Sequence, residues 1–146
     1  MRVMIVEDQT MIRSLLENYF RAEDGYRIVA PIPGAKQAVE VCRTSSVDLI
    51  LMDVQTANRE NGLTAVRQIK AICPKSRIIV VTSLIDGAVL DKAKAAGADS
   101  LWYKDSDKTG SWRLSDRQWQ GNTSFRTRLR PSRSVWQKAP YLQRQN

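Results

Sequence analysis

The chain has 146 residues, with 23 Lys and Arg against 15 Asp and Glu, two Cys and no His. That length holds one domain, or one domain and a tail, and the missing histidine removes the commonest general base and metal ligand. No apolar run reaches membrane-spanning length and "MRVMIVEDQT" is neither signal peptide nor anchor, so the chain reads as soluble and cytoplasmic with no membrane partner.

Five short apolar runs follow one another: "RVMIVED", "YRIVA", "VDLILMD", "SRIIVVTS" and "DSLWYK". Runs of this length, rich in β-branched residues, suit strands buried on both faces. Between them lie "TMIRSLLENYF", "GAKQAVEVCRTS", "GLTAVRQIKAIC" and "DGAVLDKAKAAGA", whose apolar residues recur at helical spacing. Thr10 is a candidate cap for the first and Gly97 a stop for the last. The β-α alternation predicts a doubly wound parallel sheet with right-handed crossovers and helices on both faces, and no helix follows the fifth strand. Cys42 and Cys73 fall in two of the helical segments, far apart in sequence. They read as inert apolar groups of a reduced protein. Trp102 and Tyr103 read as packing residues, one of them buried by strand alternation, and Lys92 and Lys94 as a solvated helix face.

Open parallel sheets bind ligands at the carboxyl ends of their strands. Here those ends carry Glu7 and Asp8, then Asp53, then Thr82 and Ser83, then Lys104. Carboxylates drawn together repel unless a cation sits among them, and hard oxygen ligands suit Mg²⁺. A metal held by Asp8 and Asp53, with Glu7 behind it, would neutralise an incoming phosphoryl group. Asp53 would then act as nucleophile, with Lys104 and the Thr82 hydroxyl beside the phosphoryl oxygens.

These motifs, "VED", "LILMD", "VVTS" and "WYK" in this order, resemble the receiver domain of two-component response regulators over residues 1–104. The resemblance implies a flavodoxin-like sheet of order 2-1-3-4-5. It also implies phosphorylation of Asp53 by a sensor histidine kinase, with Mg²⁺ held by Glu7, Asp8, Asp53 and the backbone carbonyl of Gln55. Thr82 would be the switch hydroxyl and Lys104 the partner cation. It implies a phosphoacceptor switch rather than an enzyme, with slow self-dephosphorylation at most, and a homodimer through the fourth helix and fifth strand. The loop "DVQTANRENG" departs from the family: it lacks the usual Met-Pro pair and is one residue longer before Gly62. The aromatic expected three residues before the Lys is Leu101. A haloacid-dehalogenase-like phosphatase would want a second Asp in "MDVQT", which is absent.

Residues 105–146 differ in character. They hold 9 Lys and Arg against 3 Asp and Glu, whereas residues 1–104 hold 14 against 12. From Ser111 on, the only Ile, Leu, Met or Val residues are Leu114, Leu129, Val135 and Leu142. Arg126, Arg128, Arg130 and Arg133 with interleaved Trp would suit nucleic-acid binding. A disordered end is an alternative. The favoured reading is a frameshift: read one nucleotide back, "SWRLSDRQWQGNTSFRT" is compatible with "MEVVRQAMAGEHVFPD", an amphipathic helix and a Pro-containing linker. The chain would then derive from a LuxR/NarL-type DNA-binding regulator truncated before its output domain, and DNA binding would need that missing domain. Such a chain could be non-functional. Without a fifth helix, one face of the sheet is expected to be exposed and stability to be marginal.

Overall fold

Each apolar run of the sequence becomes a strand and each periodic segment a helix. A computed structural model describes residues 1–84, 86–106 and 112–115, and the basic residues 116–146 lie outside the described residues. The elements are β1 (Arg2–Val6), α1 (Thr10–Arg21), β2 (Arg27–Ile32), α2 (Ala35–Thr44), β3 (Leu49–Asp53), β4 (Gln55–Thr56), β5 (Glu60–Asn61), α3 (Gly62–Ile72), β6 (Arg77–Thr82), α4 (Gly87–Ala96), β7 (Ser100–Ser106) and β8 (Trp112–Ser115). The main sheet has the order β2-β1-β3-β6-β7-β8. Its first five strands are parallel, which is the predicted flavodoxin-like arrangement.

The sequence reading needs three corrections. The sheet does not stop at Lys104: β7 continues to Ser106, and β8 pairs with it antiparallel, Lys104 opposite Leu114. Residues 112–115, expected to be an atypical tail, are thus a sixth strand, and no fifth helix stands among the described residues. Thr10 is not a cap; it is the first helical residue, and Gln9 precedes it without a side-chain capping bond. Nor is the sheet exposed on the face that a fifth helix would cover, since Ile79, Val81 and Trp102 are buried there.

The sheet separates two apolar layers. On one face Val3, Ile5, Leu51, Val81 and Trp102 pack with Ile12, Leu16 and Phe20 of α1. On the other, Met4, Ile50, Val80, Leu101 and Tyr103 pack with α2, α3 and α4 through Val39, Val66, Ile69 and Ala93. Alternation sends Trp102 and Tyr103 to opposite faces, and because both faces are covered both rings are buried.

Helix ends follow local chemistry where the sequence supplies it. The Asn61 side chain accepts from the amides of Leu63 and Thr64 at the start of α3, and Asp86 accepts from Ala88 at the start of α4. Gly97 ends α4 with φ 96°, the left-handed conformation that glycine adopts without a Cβ penalty. α2 is different: Gly34 offers no capping side chain. Its first amides are instead satisfied from the long loop after Asp53, Ala35 by Thr56 Oγ1 at 3.0 Å and Lys36 by Glu60 Oε2 at 2.8 Å.

Candidate functional site

Strand register brings the site together. Val6 lies opposite Met52, Asp53 opposite Val81, and Thr82 opposite Tyr103. The residues just beyond or at these positions, Glu7, Asp8, Asp53, Thr82 and Lys104, therefore share the carboxyl edge of the sheet. All but Asp8 are buried.

Lys104 is the centre of the charge arrangement. Its Nζ lies 2.5 Å from Glu7 Oε2 and 2.9 Å from Asp53 Oδ2. Glu7 Oε1 accepts from the amide of Gln9 at 3.0 Å, and the Arg13 guanidinium donates to the Glu7 carbonyl at 2.8 Å. Among the described residues, Asp53 Oδ1 has one hydrogen bond, a long one from the amide of Gln55 at 3.4 Å. Thr82 Oγ1 accepts from the amide of Leu84 at 3.0 Å. Carboxylate oxygens of Glu7, Asp8 and Asp53 can all lie within 4.8 Å of one another.

Three acids facing one amine leave an excess of negative charge. Burial, then the neighbouring Asp53, raises the Glu7 carboxyl above its usual range, and hydrogen bonding to Lys104 offsets only part of this. Burial likewise raises Asp53 against the lowering effect of Lys104. Burial works against the charge on Lys104, but its hydrogen bonds to Asp53 and Glu7 outweigh that and hold its ammonium above the ordinary value. An all-oxygen donor set, short of positive charge and open at Asp8, fits a hard divalent cation such as Mg²⁺.

A pocket of about 590 Å³ opens above these groups, lined by Asp8, Asp53, Gln55, Arg59, Thr82 and Lys104 among others. Its rim includes the loop that the sequence marked as one residue longer than expected. That loop is a small hairpin in which Gln55 and Thr56 of β4 pair antiparallel with Asn61 and Glu60 of β5. Asn58 and Arg59 turn it with φ 61° and 57°, both left-handed, as hairpin turns of this hand require. The hairpin is held by the Ala57 amide on the Pro33 carbonyl at 3.0 Å and by the Gly62 amide on the Val54 carbonyl at 2.8 Å. Gly62 lies so close to the strand that a Cβ there would sit 1.8 Å from the Asp53 carbonyl oxygen. Only glycine lets the loop close against Asp53.

Sequence reasoning found every acid, the lysine and the threonine of this edge. It missed Thr56, Glu60 and Asn61, which hold the rim. Only Asn61 had a readable signal, a cap residue directly before a periodic segment.

With the geometry in place, comparison with known proteins gives the family. The family model for the response regulator receiver domain matches residues 3–110. The chain belongs to that family. It is 32% identical over 103 residues to the chemotaxis protein CheY of Bacillus subtilis, covering 70% of this chain and 84% of that protein. It is 36% identical over 105 residues to the transcriptional regulatory protein PdtaR of Mycobacterium tuberculosis, covering 70% of this chain and 49% of that one. A match of 32% over 83 residues to a protein-glutamate methylesterase/protein-glutamine glutaminase of Azospirillum brasilense covers 57% of this chain but only 21% of that protein. The chain thus spans a fifth to a half of the longer relatives. Among solved structures, the response regulator domain of Thermotoga maritima CheB aligns with a TM-score of 0.65 at 27% identity, covering 71% of this chain and 78% of that one. A LuxR-family response regulator from Aurantimonas sp. aligns with a TM-score of 0.63 at 31% identity, covering 73% and 75%.

Proposed function

We propose that this chain is a phosphoryl-accepting switch in which Asp53 takes the phosphoryl group from a phosphohistidine of a sensor histidine kinase. The observation that carries the reading is the position of Asp53: buried beneath the pocket, with Oδ2 held by Lys104 and Oδ1 nearly free. Oδ1 attacks phosphorus, the P–N bond to the donor imidazole breaks, and the imidazole nitrogen leaves to be reprotonated. Lys104 sits where it can follow the charge onto the phosphoryl oxygens, and Thr82 lines the same pocket. Glu7, Asp8, Asp53 and the Gln55 carbonyl would hold Mg²⁺. Bound there, it would offset the carboxylate charge that otherwise repels a phosphoryl group.

The test is exposure to acetyl phosphate or phosphoramidate, read by intact mass. The expected result is one phosphoryl group on the wild type and none on Asp53→Asn or in the presence of a metal chelator. A folded protein that gains nothing would defeat the reading.

On this reading the chain acts in the cytoplasm beside the kinase; no helix among the described residues is long and apolar enough to cross a membrane. A homodimer would use the α4 side of the molecule, because β8 already pairs with the edge of β7 along Tyr103–Ser106. The derivation from a longer DNA-binding regulator rests on the sequence of residues 111–127, most of which lie outside the described residues, and sequencing the coding DNA in the neighbouring frame tests it.

A further inference from the structure

The two cysteines, far apart in sequence, meet at the end of the molecule opposite Asp53. Cys42 lies in the last turns of α2 and Cys73 is the residue that ends α3. The Cys73 thiol donates to the Cys42 carbonyl at 3.2 Å across a separation of 31 residues, which brings the Cys73 sulfur against the Cys42 residue. The surroundings hold them in place: Ser76 Oγ donates to the Val47 carbonyl at 2.7 Å, and the Arg77 amide donates to the Asp48 carbonyl at 2.8 Å, joining the two loops that follow these helices. Both thiols are free. Nothing in the phosphoryl chemistry uses them.

Their environments differ in a way that divides the labour of oxidation. Cys42 is buried, and burial, then the neighbouring Cys73, pushes its thiol up to about 12. In the reduced fold it is protonated and almost shielded from solvent, and it loses its proton only as it reacts. Cys73 is half-buried and meets solvent. We propose that Cys42 and Cys73 form a reversible disulfide that ties the ends of α2 and α3 together, with a peroxide as oxidant and a dithiol as reductant. The Cys73 sulfur attacks one peroxide oxygen, the O–O bond breaks, and water leaves behind a sulfenic acid. The Cys42 sulfur then attacks the Cys73 sulfur. The S–S bond forms, the S–O bond breaks, and a second water carries away the Cys42 proton.

The test treats the full chain with hydrogen peroxide, blocks remaining thiols by alkylation in denaturant and digests with trypsin. Cleavage after Lys36, Arg43, Lys70 and Lys75 isolates residues 37–43 and 71–75. The expected product is these two peptides joined, lighter by two hydrogens than the pair, restored by dithiothreitol and absent from Cys73→Ser. That variant is the control because its site is half-exposed, whereas Cys42 sits in the core. The linked protein should also melt above the reduced one, since the bond closes a loop in the unfolded chain. A sulfinic acid on Cys73 with Cys42 still alkylatable would overturn the proposal. So would disulfide-linked dimers, or a linked protein that melts below the reduced form.

Discussion

At the amino end of the sheet Lys70 meets one carboxylate, Asp99; at the carboxyl end Lys104 meets Glu7 and Asp53, with Asp8 beside them. Asp99 Oδ2 accepts from Lys70 at 2.7 Å and from the Ile78 amide at 2.8 Å, while its Oδ1 faces Arg77 at 3.6 Å. Lys70 also donates to the Ser76 carbonyl at 2.7 Å. Here two cations answer one acid, and the cluster also bonds the backbone of β6 and of the turn before it. At the other end, among the described residues, one ion-paired cation answers three acids, two of them buried. The amino end is completed by the chain itself and serves stability. The carboxyl end is left short of positive charge, as the proposed site for a metal and a phosphoryl donor would be. On the proposed function, stability is given up there for chemistry.

Three substitutions test this contrast. The largest effect is expected from Lys104→Ala, which leaves Glu7 and Asp53 buried against each other with no cation. It should lower stability by about 3–5 kcal/mol, read from the urea midpoint. Adding Mg²⁺ should recover part of the loss. If the variant is as stable as the wild type without metal, Lys104 is not what offsets the acids.

Asp99→Ala should cost about 2 kcal/mol, because it removes the acceptor for Lys70 and the Ile78 amide while Lys70 keeps the Ser76 carbonyl. Unlike the loss at Lys104, this one should not respond to Mg²⁺. Recovery of both variants by the metal would erase the difference between the two ends.

Asp53→Asn should do the opposite and stabilise the metal-free protein, by on the order of 1 kcal/mol at neutral pH. The sign follows from the raised carboxyls of Glu7 and Asp53. The unfolded chain ionises these groups at ordinary values, so above the raised folded-state values their charge penalises the fold. As pH falls through those values the folded protein takes up protons and the penalty disappears. The advantage of Asp53→Asn should therefore shrink from neutral pH into the acid range, as thermal melts in a chelator would show. An advantage that grew on acidification would contradict the assignment.

Much of this architecture is legible in the residues. Five apolar runs and four periodic segments yield the strands and helices, and alternation yields the parallel sheet, because these patterns are local. Once the sheet is parallel, Glu7, Asp53, Thr82 and Lys104 share an edge, since Asp53 and Thr82 end their strands, Glu7 follows β1, and Lys104 lies one residue past Tyr103, the partner of Thr82. Other features depend on what packs against what. The loop after Asp53 reads as an irregular insertion, yet it is a hairpin that caps α2 through Thr56 and Glu60, a partnership across more than 20 residues. Gly62 reads as a helix start, and only the approach of its backbone to the Asp53 carbonyl explains why a side chain cannot stand there. Residues 112–115 alternate apolar and polar over only four positions, too short a run to mark a strand, and their strand is set by pairing with β7.

The sequence by itself determined the order of the elements and the chemical groups at their ends, because periodicity and side-chain type act over a few residues. Only the tertiary structure decided the charge balance around Lys104, the capping of α2 and the meeting of Cys42 with Cys73. Each depends on a distance across the fold, and the spacing of residues along the chain does not encode it.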